Sequence, residues 1–516
     1  MRTKSKFLIV FLLLSFVTTK GQESIYFIDS NNIVTQENNI ANSDFKKSKS
    51  ATATIAKSVE IVAGTLSSTL GLELQSITNL TVSGTIDARD FKVMRDSMPA
   101  LTEIDLSNST ILAYYGTQGT YSTTSTDYAE NKLPQKAFNK AVYGTSILTS
   151  VIMPSSINTI GIDAFNGCKN LTSIIIPPLV TKIERGVFLG CNGLTSVNIP
   201  ALVSSLESSA FLSSALSSIS VDINNPFYSS EDGVLYDKNK TTIIRSPSTK
   251  VGEFKIPISV SSIGNLAFYG NKGLTLIEIP SSVKSIVNQG INFCNCPILV
   301  NPDNLYFTSE NGVLYNIEKT RLIYCPPYTS GSFTIPLSVS TIGVGAFGGC
   351  RSLTNIRIPS AVKSIESIAF SDCGGLVSLY VSSPIPIIFS QTSTVFYNIN
   401  KTSCTLHVPA GAKSDYAVAN AWKDFINITE DILDGLNETS ENSATLFPNP
   451  AKNEITINNI NQNTTIEIYD LCGRLLINKI ANSSTEKVNV NNLSNGIYNM
   501  KLTNKNRIES VKFIKQ

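Results

Sequence analysis

Apolar and polar positions recur along the middle of the chain in a frame of 23 residues. The block LTSVIMPSSINTIGIDAFNGCKN begins at Leu148, LTSIIIPPLVTKIERGVFLGCNG at Leu171 and LTSVNIPALVSSLESSAFLSS at Leu194, and further copies begin at Leu274 and Leu353. Each opens with Leu, sets apolar residues at its fourth and sixth places between mostly polar neighbours, and has Pro at the seventh. Such alternation predicts a half-buried strand. Proline lacks the N–H that a continuing ladder needs, so Pro154, Pro177, Pro200, Pro280 and Pro359 end the strands. Apolar residues at places 10, 13, 17 and 18 then bring the chain back, with Phe at place 18 filling the space between coils. The copy from Leu274 follows this frame with two extra residues before Phe293. One coil cannot bury that face alone, and a fixed period of this length predicts a stack of coils with one continuous core.

Two coils are interrupted by related insertions, SSEDGVLYDKNKTTIIRSP from Ser229 and TSENGVLYNIEKTRLIYCP from Thr308. Short apolar runs flank four-residue polar turns, Asp237 to Lys240 and Asn316 to Lys319, and predict hairpins. The repeat resumes in phase at Ile256-Pro257 and Ile335-Pro336, so the insertions decorate the stack and do not divide it.

These residues resemble the BspA-type leucine-rich repeats of bacterial surface proteins, which implies a parallel-stacked, right-handed solenoid and a role in adhesion. At the N-terminal end, ITNLTVSGTIDARDFKVMRDSMPALTEIDLSNSTI pairs two strands with a helix capped by Asp87, similar to the family's first, more helical repeat. CTLHVPAGAKSDYAVANAWKDFINITE resembles its closing cap. The resemblance spans residues 59–430, and the absence of an Asn ladder means that horseshoe curvature is not implied.

A different pattern follows the polar stretch from Asp434 to Ala444. LFPNPAKNEITINN, TIEIYDLCGRLL, VNVNNLSNGIYNMKL and SVKFIKQ are short alternating strands punctuated by Pro, Asn and Gly, the pattern of a small antiparallel β domain. It resembles the type A C-terminal sorting domain of the type IX secretion system through Phe447, Pro448, Asn449 and Pro450, then Tyr469, Asp470, Gly473 and Arg474, then Leu493, Asn495, Gly496, Ile497 and Tyr498. That resemblance implies passage through the outer membrane of a gram-negative bacterium and then surface attachment or release. The start of the chain agrees. MRTKSK, an apolar run from Phe7 to Val17 and small Gly21 form a secretory signal peptide, its apolar run too short for the ~20 residues of a spanning helix. The expected organisation is a signal peptide (1–21), an N-terminal extension (22–58), an N-terminal cap with the first repeats (59–147), the solenoid (148–381), a C-terminal cap (382–430), a linker (431–445) and the sorting domain (446–516). The fold class is mainly β with minor α, a leucine-rich-repeat solenoid followed by a small antiparallel β-sandwich.

Charge and composition narrow the chemistry. The chain is 16% charged with a net charge of +2 and has no basic run, which argues against a nucleic-acid partner. One His and one Trp leave few general bases and aromatic platforms. Five of the nine Cys, Cys168, Cys191, Cys296, Cys350 and Cys373, fall at the repeat place after Phe. Adjacent coils ~4.8 Å apart would admit disulfides, but Ser214 and Asn271 share that place, so it asks for a small residue and a ladder of buried thiols is expected. Cys294 and Cys296 alone fall short of a zinc set. No P-loop, G-x-G-x-x-G or EF-hand loop is present, so neither metal nor cofactor is expected. His407, in a cap strand, has no nucleophile signature beside it and is expected to pack or face solvent.

What remains is surface. Outward strand places line up across coils, and Ile152, Ile175, Asn198, Leu276, Glu278, Arg357 and Tyr380 form the candidate binding face, Arg and Tyr being favoured anchor types. The hairpins, with Tyr236, Tyr315 and Tyr324, offer a second surface. The expected protein is a non-enzymatic, secreted or surface-attached recognition or adhesion protein for an extracellular protein or glycan, exported by the type IX secretion machinery and without a transmembrane anchor in the mature chain. The alternatives are a passive structural envelope component and, last, a secreted hydrolase.

Overall fold

The computed structural model describes residues 54–121, 124–139, 147–431, 444–470, 474–504 and 507–516, with side chains in the last stretch described from Val511. The signal peptide, most of the N-terminal extension, the linker core and Gly473 lie outside them.

From Ala56 to Asp431 short parallel strands stack coil upon coil along two legs. The first leg begins with the strands Ala56–Ile61, Asn79–Ile86, Glu103–Ile111 and Ser150–Ile152, all parallel neighbours. It continues through separate sheets and ends with Gly331–Thr334, Leu353–Ile358, Ser378–Val381, Thr405–Pro409 and Asn427–Asp431. Outside the insertions the returning leg consists of two-residue strands at places 12 and 13, such as Thr159–Ile160, Lys182–Ile183 and Ser205–Leu206, whose apolar members are in direct register. Two residues are enough here because proline and the coil corner fix the chain on either side. One predicted strand is missing. Residues 171–177 make no ladder, although Ile174 and Ile176 are buried as the pattern requires.

The core is a column of phenylalanines. Phe138, Phe165, Phe188 and Phe211 stack with centroids 5.4–5.6 Å apart, and Phe347, Phe370 and Phe396 do the same at 5.3 and 5.7 Å. In the copy from Leu274 the column corrects the expected alignment. The Phe268 N–H donates to the Gly290 carbonyl, as the Phe347 N–H does to Ala369. Ile291 therefore fills the Phe place with no extra residues, and Phe293 lies against Tyr269 at 5.0 Å.

Counting from Ile291, the thiol place belongs to Cys294 and not to Cys296. The eight described cysteines are buried. Cys168, Cys191 and Cys373 each donate to the carbonyl of the Phe one coil earlier, at 3.4, 3.2 and 3.1 Å. Burial pushes the Cys191 and Cys373 thiols up, which keeps the donating proton in place. Ser214 turns its hydroxyl to the Phe211 carbonyl, and Asn271 bonds the Pro247 carbonyl, so the place selects a small donor.

Each insertion adds an antiparallel hairpin, Val234–Asp237 with Thr242–Arg245 and Val313–Asn316 with Arg321–Tyr324, and a preceding strand makes each a meander. Tyr236, Tyr315 and Tyr324 are buried, so these rings belong to the core and not to a second binding surface. A buried Asn anchors each insertion. Asn225 bonds the Pro200 and Val203 carbonyls and accepts from the Phe227 and Tyr228 N–H groups. Asn304 repeats all four bonds with Pro280, Val283, Tyr306 and Phe307.

The N-terminal end of the stack carries the short helix Leu66–Leu70 and the helix Ala88–Asp96, whose N-cap Asp87 forms a capping box with Asp90. The stack closes with the helix Lys413–Val418 and with Trp422, fully buried against Phe396. Among the described residues no helix is long and apolar enough to cross a membrane.

The C-terminal domain is antiparallel throughout its two sheets. Thr445–Phe447, Glu454–Asn458 and Thr485–Asn489 form one, and Leu475–Ile480, Thr465–Tyr469, Gly496–Asn504 and Arg507–Lys515 the other. Between them pack Ile455, Ile457, Ile466, Ile468, Met500 and Phe513.

Candidate functional site

Alternation along the last sheet of the first leg sends Leu379, Leu406 and Ile428 inward and leaves their neighbours outward. Register then fixes two outward rows. One runs Thr334, Arg357, Tyr380, His407 and Thr429, and the other Ser332, Asn355, Ser378, Thr405 and Asn427.

The middle three residues of the first row are stacked. The Arg357 guanidinium lies 4.1 Å over the Tyr380 ring, and the other face of that ring meets the His407 imidazole at 4.1 Å and 13°. A cation on an aromatic face contributes about 0.5–1 kcal/mol at an exposed site, enough to hold the guanidinium outward. His407 reaches diagonally to both neighbouring strands. Its Nδ1 bonds the Asp431 carboxylate, and its Nε2 lies 3.3 Å from Ser378 Oγ. In the second row Asn355 Nδ2 donates to Ser332 Oγ at 3.0 Å. Arg357 has no carboxylate partner among the described residues, whereas Arg321, on the returning leg, is bound by Glu366.

The remaining predicted face residues are distributed unevenly. Ile152 and Ile175 are 51% and 84% exposed, and Asn198 accepts from Ser220 Oγ at 2.9 Å. Glu278 is half-buried and ion-paired to Lys255 at 3.3 Å. Leu276 is only 8% exposed and presents little to a partner. Its strand slips register where Gly252 and Glu253 pair with Leu274 and Leu276, so the alternation breaks and Leu276 is buried beside Ile277. The structure thus brings together Arg357 and Tyr380 of the predicted set, and adds His407, Ser378 and Asp431. Sequence alternation places His407 outward, but Tyr380 to His407 is a step of 27 residues, and the 23-residue frame does not predict that pairing.

In the C-terminal domain Asn449 accepts from the Ile514 N–H at 2.9 Å, tying the first motif to the last strand. Phe447 is 70% exposed, and Pro448 is also exposed. Arg474 pairs with Asp470 at 3.1 Å. Tyr498 donates to the Ser494 carbonyl at 2.7 Å and stacks on Phe513, while Asn495 forms an exposed bend and Gly496 the exposed start of the strand.

The model of the BspA type leucine-rich repeat region matches in six copies, over residues 131–251, 246–330 and 316–438, more than half of the chain. The model of the secretion system C-terminal sorting domain matches residues 445–516. No curated protein matches the chain. Among solved structures it is similar to a leucine rich cell surface protein from Faecalibacterium prausnitzii, at 20% identity over 71% of this chain and 94% of that one, with a TM-score of 0.40. The pneumococcal vaccine antigen PcpA shares 17% identity over 69% and 79%, with a TM-score of 0.38. A leucine-rich repeat protein from Bacteroides ovatus shares 20% over 58% and 71%, with a TM-score of 0.24.

Proposed function

Because this chain belongs to the BspA-type leucine-rich repeat proteins and ends in a secretion-system sorting domain, we propose that it is exported through the outer membrane by the type IX machinery and recognises an extracellular protein or glycan through its outward sheet. The observation that carries this is the stacked row Arg357, Tyr380 and His407. Ordinary solvated sheet faces spread their charges and pair them. Here a cation without a carboxylate partner among the described residues rests on an aromatic ring, which lowers the side-chain entropy left to lose on binding.

The signal peptide and residues 445–516 supply the address, and the solenoid supplies the surface. Binding of the purified protein to an array of extracellular-matrix proteins and glycans at physiological salt tests the recognition role. Saturable binding to one class, weakened about tenfold or more by Arg357→Ala or Tyr380→Ala, is the expected result. Binding equal to wild type in both variants would remove the row from the site, and silence across the array would favour a passive envelope role. Export is tested separately, since a chain ending at Ala444 is expected to remain in the periplasm.

A further inference from the structure

We propose that Ser378, His407 and Asp431 form a hydrolytic triad on the outward sheet, acting on small acyl esters carried by an extended polymer. The inference does not depend on the recognition role above.

The chain has one histidine, and it stands between a carboxylate and a hydroxyl. An ionised carboxylate only accepts hydrogen bonds, so in the neutral imidazole the bond to Asp431 puts the hydrogen on Nδ1, and Nε2 is the atom that accepts from Ser378 Oγ at 3.3 Å. Hydroxyl to Nε2 and Nδ1–H to carboxylate is the order in which a base activates a serine while a third group fixes its tautomer, and such triads are recognised by geometry on unrelated folds.

The ladder builds this arrangement from rigid parts. Tyr380, His407 and Thr429 are direct partners across three adjacent strands. Ser378 stands two residues before Tyr380 and Asp431 two after Thr429, so both lie on the same face and diagonal to His407, within reach of a ring. Tyr380, clamped by Arg357, covers one face of the imidazole and limits its rotation. The His407 and Asp431 side chains are 15% and 33% exposed, partly shielded but reachable. Asn355 is the direct cross-strand partner of Ser378, and its Nδ2 is bonded to two hydroxyls, Ser332 Oγ at 3.0 Å and Thr354 Oγ1 at 3.1 Å. Turning toward Ser378, that amide is the donor available to a developing oxyanion.

The reaction is balanced without cofactor or oxidant. Ser378 Oγ attacks the ester carbonyl carbon as its proton passes to His407 Nε2. The tetrahedral oxyanion collapses, the C–O bond to the alcohol breaks, and the leaving oxygen takes the proton from His407. Water then adds to the acyl-serine, giving its proton to His407, and the acid departs as Ser378 recovers its hydrogen. An open sheet face suits an acetyl-sized group on a long chain, since it supplies no walls for a large acyl group.

The test uses the full chain with a fluorophosphonate probe and with p-nitrophenyl acetate. Stoichiometric labelling located to Ser378 by peptide mass is expected. Ser378→Ala should abolish labelling, and His407→Gln should slow both labelling and acetate release by about 100-fold or more. Asp431→Asn should slow them as well, through loss of the tautomer. All variants should retain the wild-type melting temperature, because the three side chains are outside the core. A folded wild-type protein that takes up no probe would overturn the proposal, as would labelling that survives Ser378→Ala.

Discussion

The coils from Leu148 to Val221 and those from Gly331 to Asp431 have interiors built alike, in separate apolar clusters, and differ in what they show to solvent. Both stack phenylalanines at nearly equal spacing and donate thiols to the carbonyls of the preceding coil. Outward, the first set presents Ile152, Ile175 and Asn198 with little interaction between coils, whereas the second presents the linked series from Arg357 to Asp431. The frame residues are therefore committed to stacking, and chemistry is free to vary only at the outward strand places and at the cap. Equal cores with unequal faces can be tested with matched substitutions.

The largest expected effect is in the phenylalanine column. Phe188→Ala and Phe347→Ala remove fully buried rings, and each should cost about 3–5 kcal/mol in chemical denaturation. A difference of several kcal/mol between them would break the claim of a common core. Next come the anchors of the two insertions. Asn225→Ala and Asn304→Ala each remove four hydrogen bonds, to two carbonyls and from two N–H groups, and each should lose about 2–3 kcal/mol by the same measurement.

A smaller pair lies on the returning leg. Arg321 holds the Glu366 carboxyl below its usual range by hydrogen bond and charge against the opposing effect of burial. At Glu184 burial pushes upward, but Lys132 and Lys182 outweigh it. A depressed folded value means that the unfolded chain binds more protons, so this stability is present above the ordinary glutamate value of about 4.3 and is lost as pH falls through the lower folded value. Glu184→Gln and Glu366→Gln should each cost less than about 1 kcal/mol at pH 7, and the gap from wild type should close on acidification. A gap unchanged at pH 3 would assign the effect to packing. Smallest of all, Ile175→Ser and Arg357→Ala should shift stability by less than about 1 kcal/mol. Only Arg357→Ala should weaken binding, and equal loss in both would extend the recognition surface to the first coils.

The solenoid was legible because its period repeats the same demands in every coil, and the cap helix because Asp87 is a residue type that caps helix N-termini. Legibility failed where a coil keeps its frame but changes its residues. Matching Phe293 by type hides Ile291, which holds the place by count, and moves the thiol from Cys294 to Cys296. It failed again where a polar tip accompanies a large ring, since Tyr236 and Tyr315 bury their rings in the hairpin core. At the candidate site, phase alone put Arg357 and Tyr380 in one row. His407, Ser378 and Asp431 meet only through diagonal contacts across a longer coil, and such contacts leave no local trace in sequence.

The backbone ladders join each coil only to the coils on either side, and those bonds point along the stack. Tension applied along that axis from the C-terminal end therefore meets one ladder at a time, beginning with the strand Asn427–Asp431. The terminal coil, paired on one side only, is the first to meet that load, and it supplies the carboxylate to His407. Single-molecule extension should show small, serial steps starting at that end, and one cooperative rupture of the whole stack would contradict this. On a cell surface under flow, drag would reach His407 and its neighbours before it disturbed the phenylalanine column behind them.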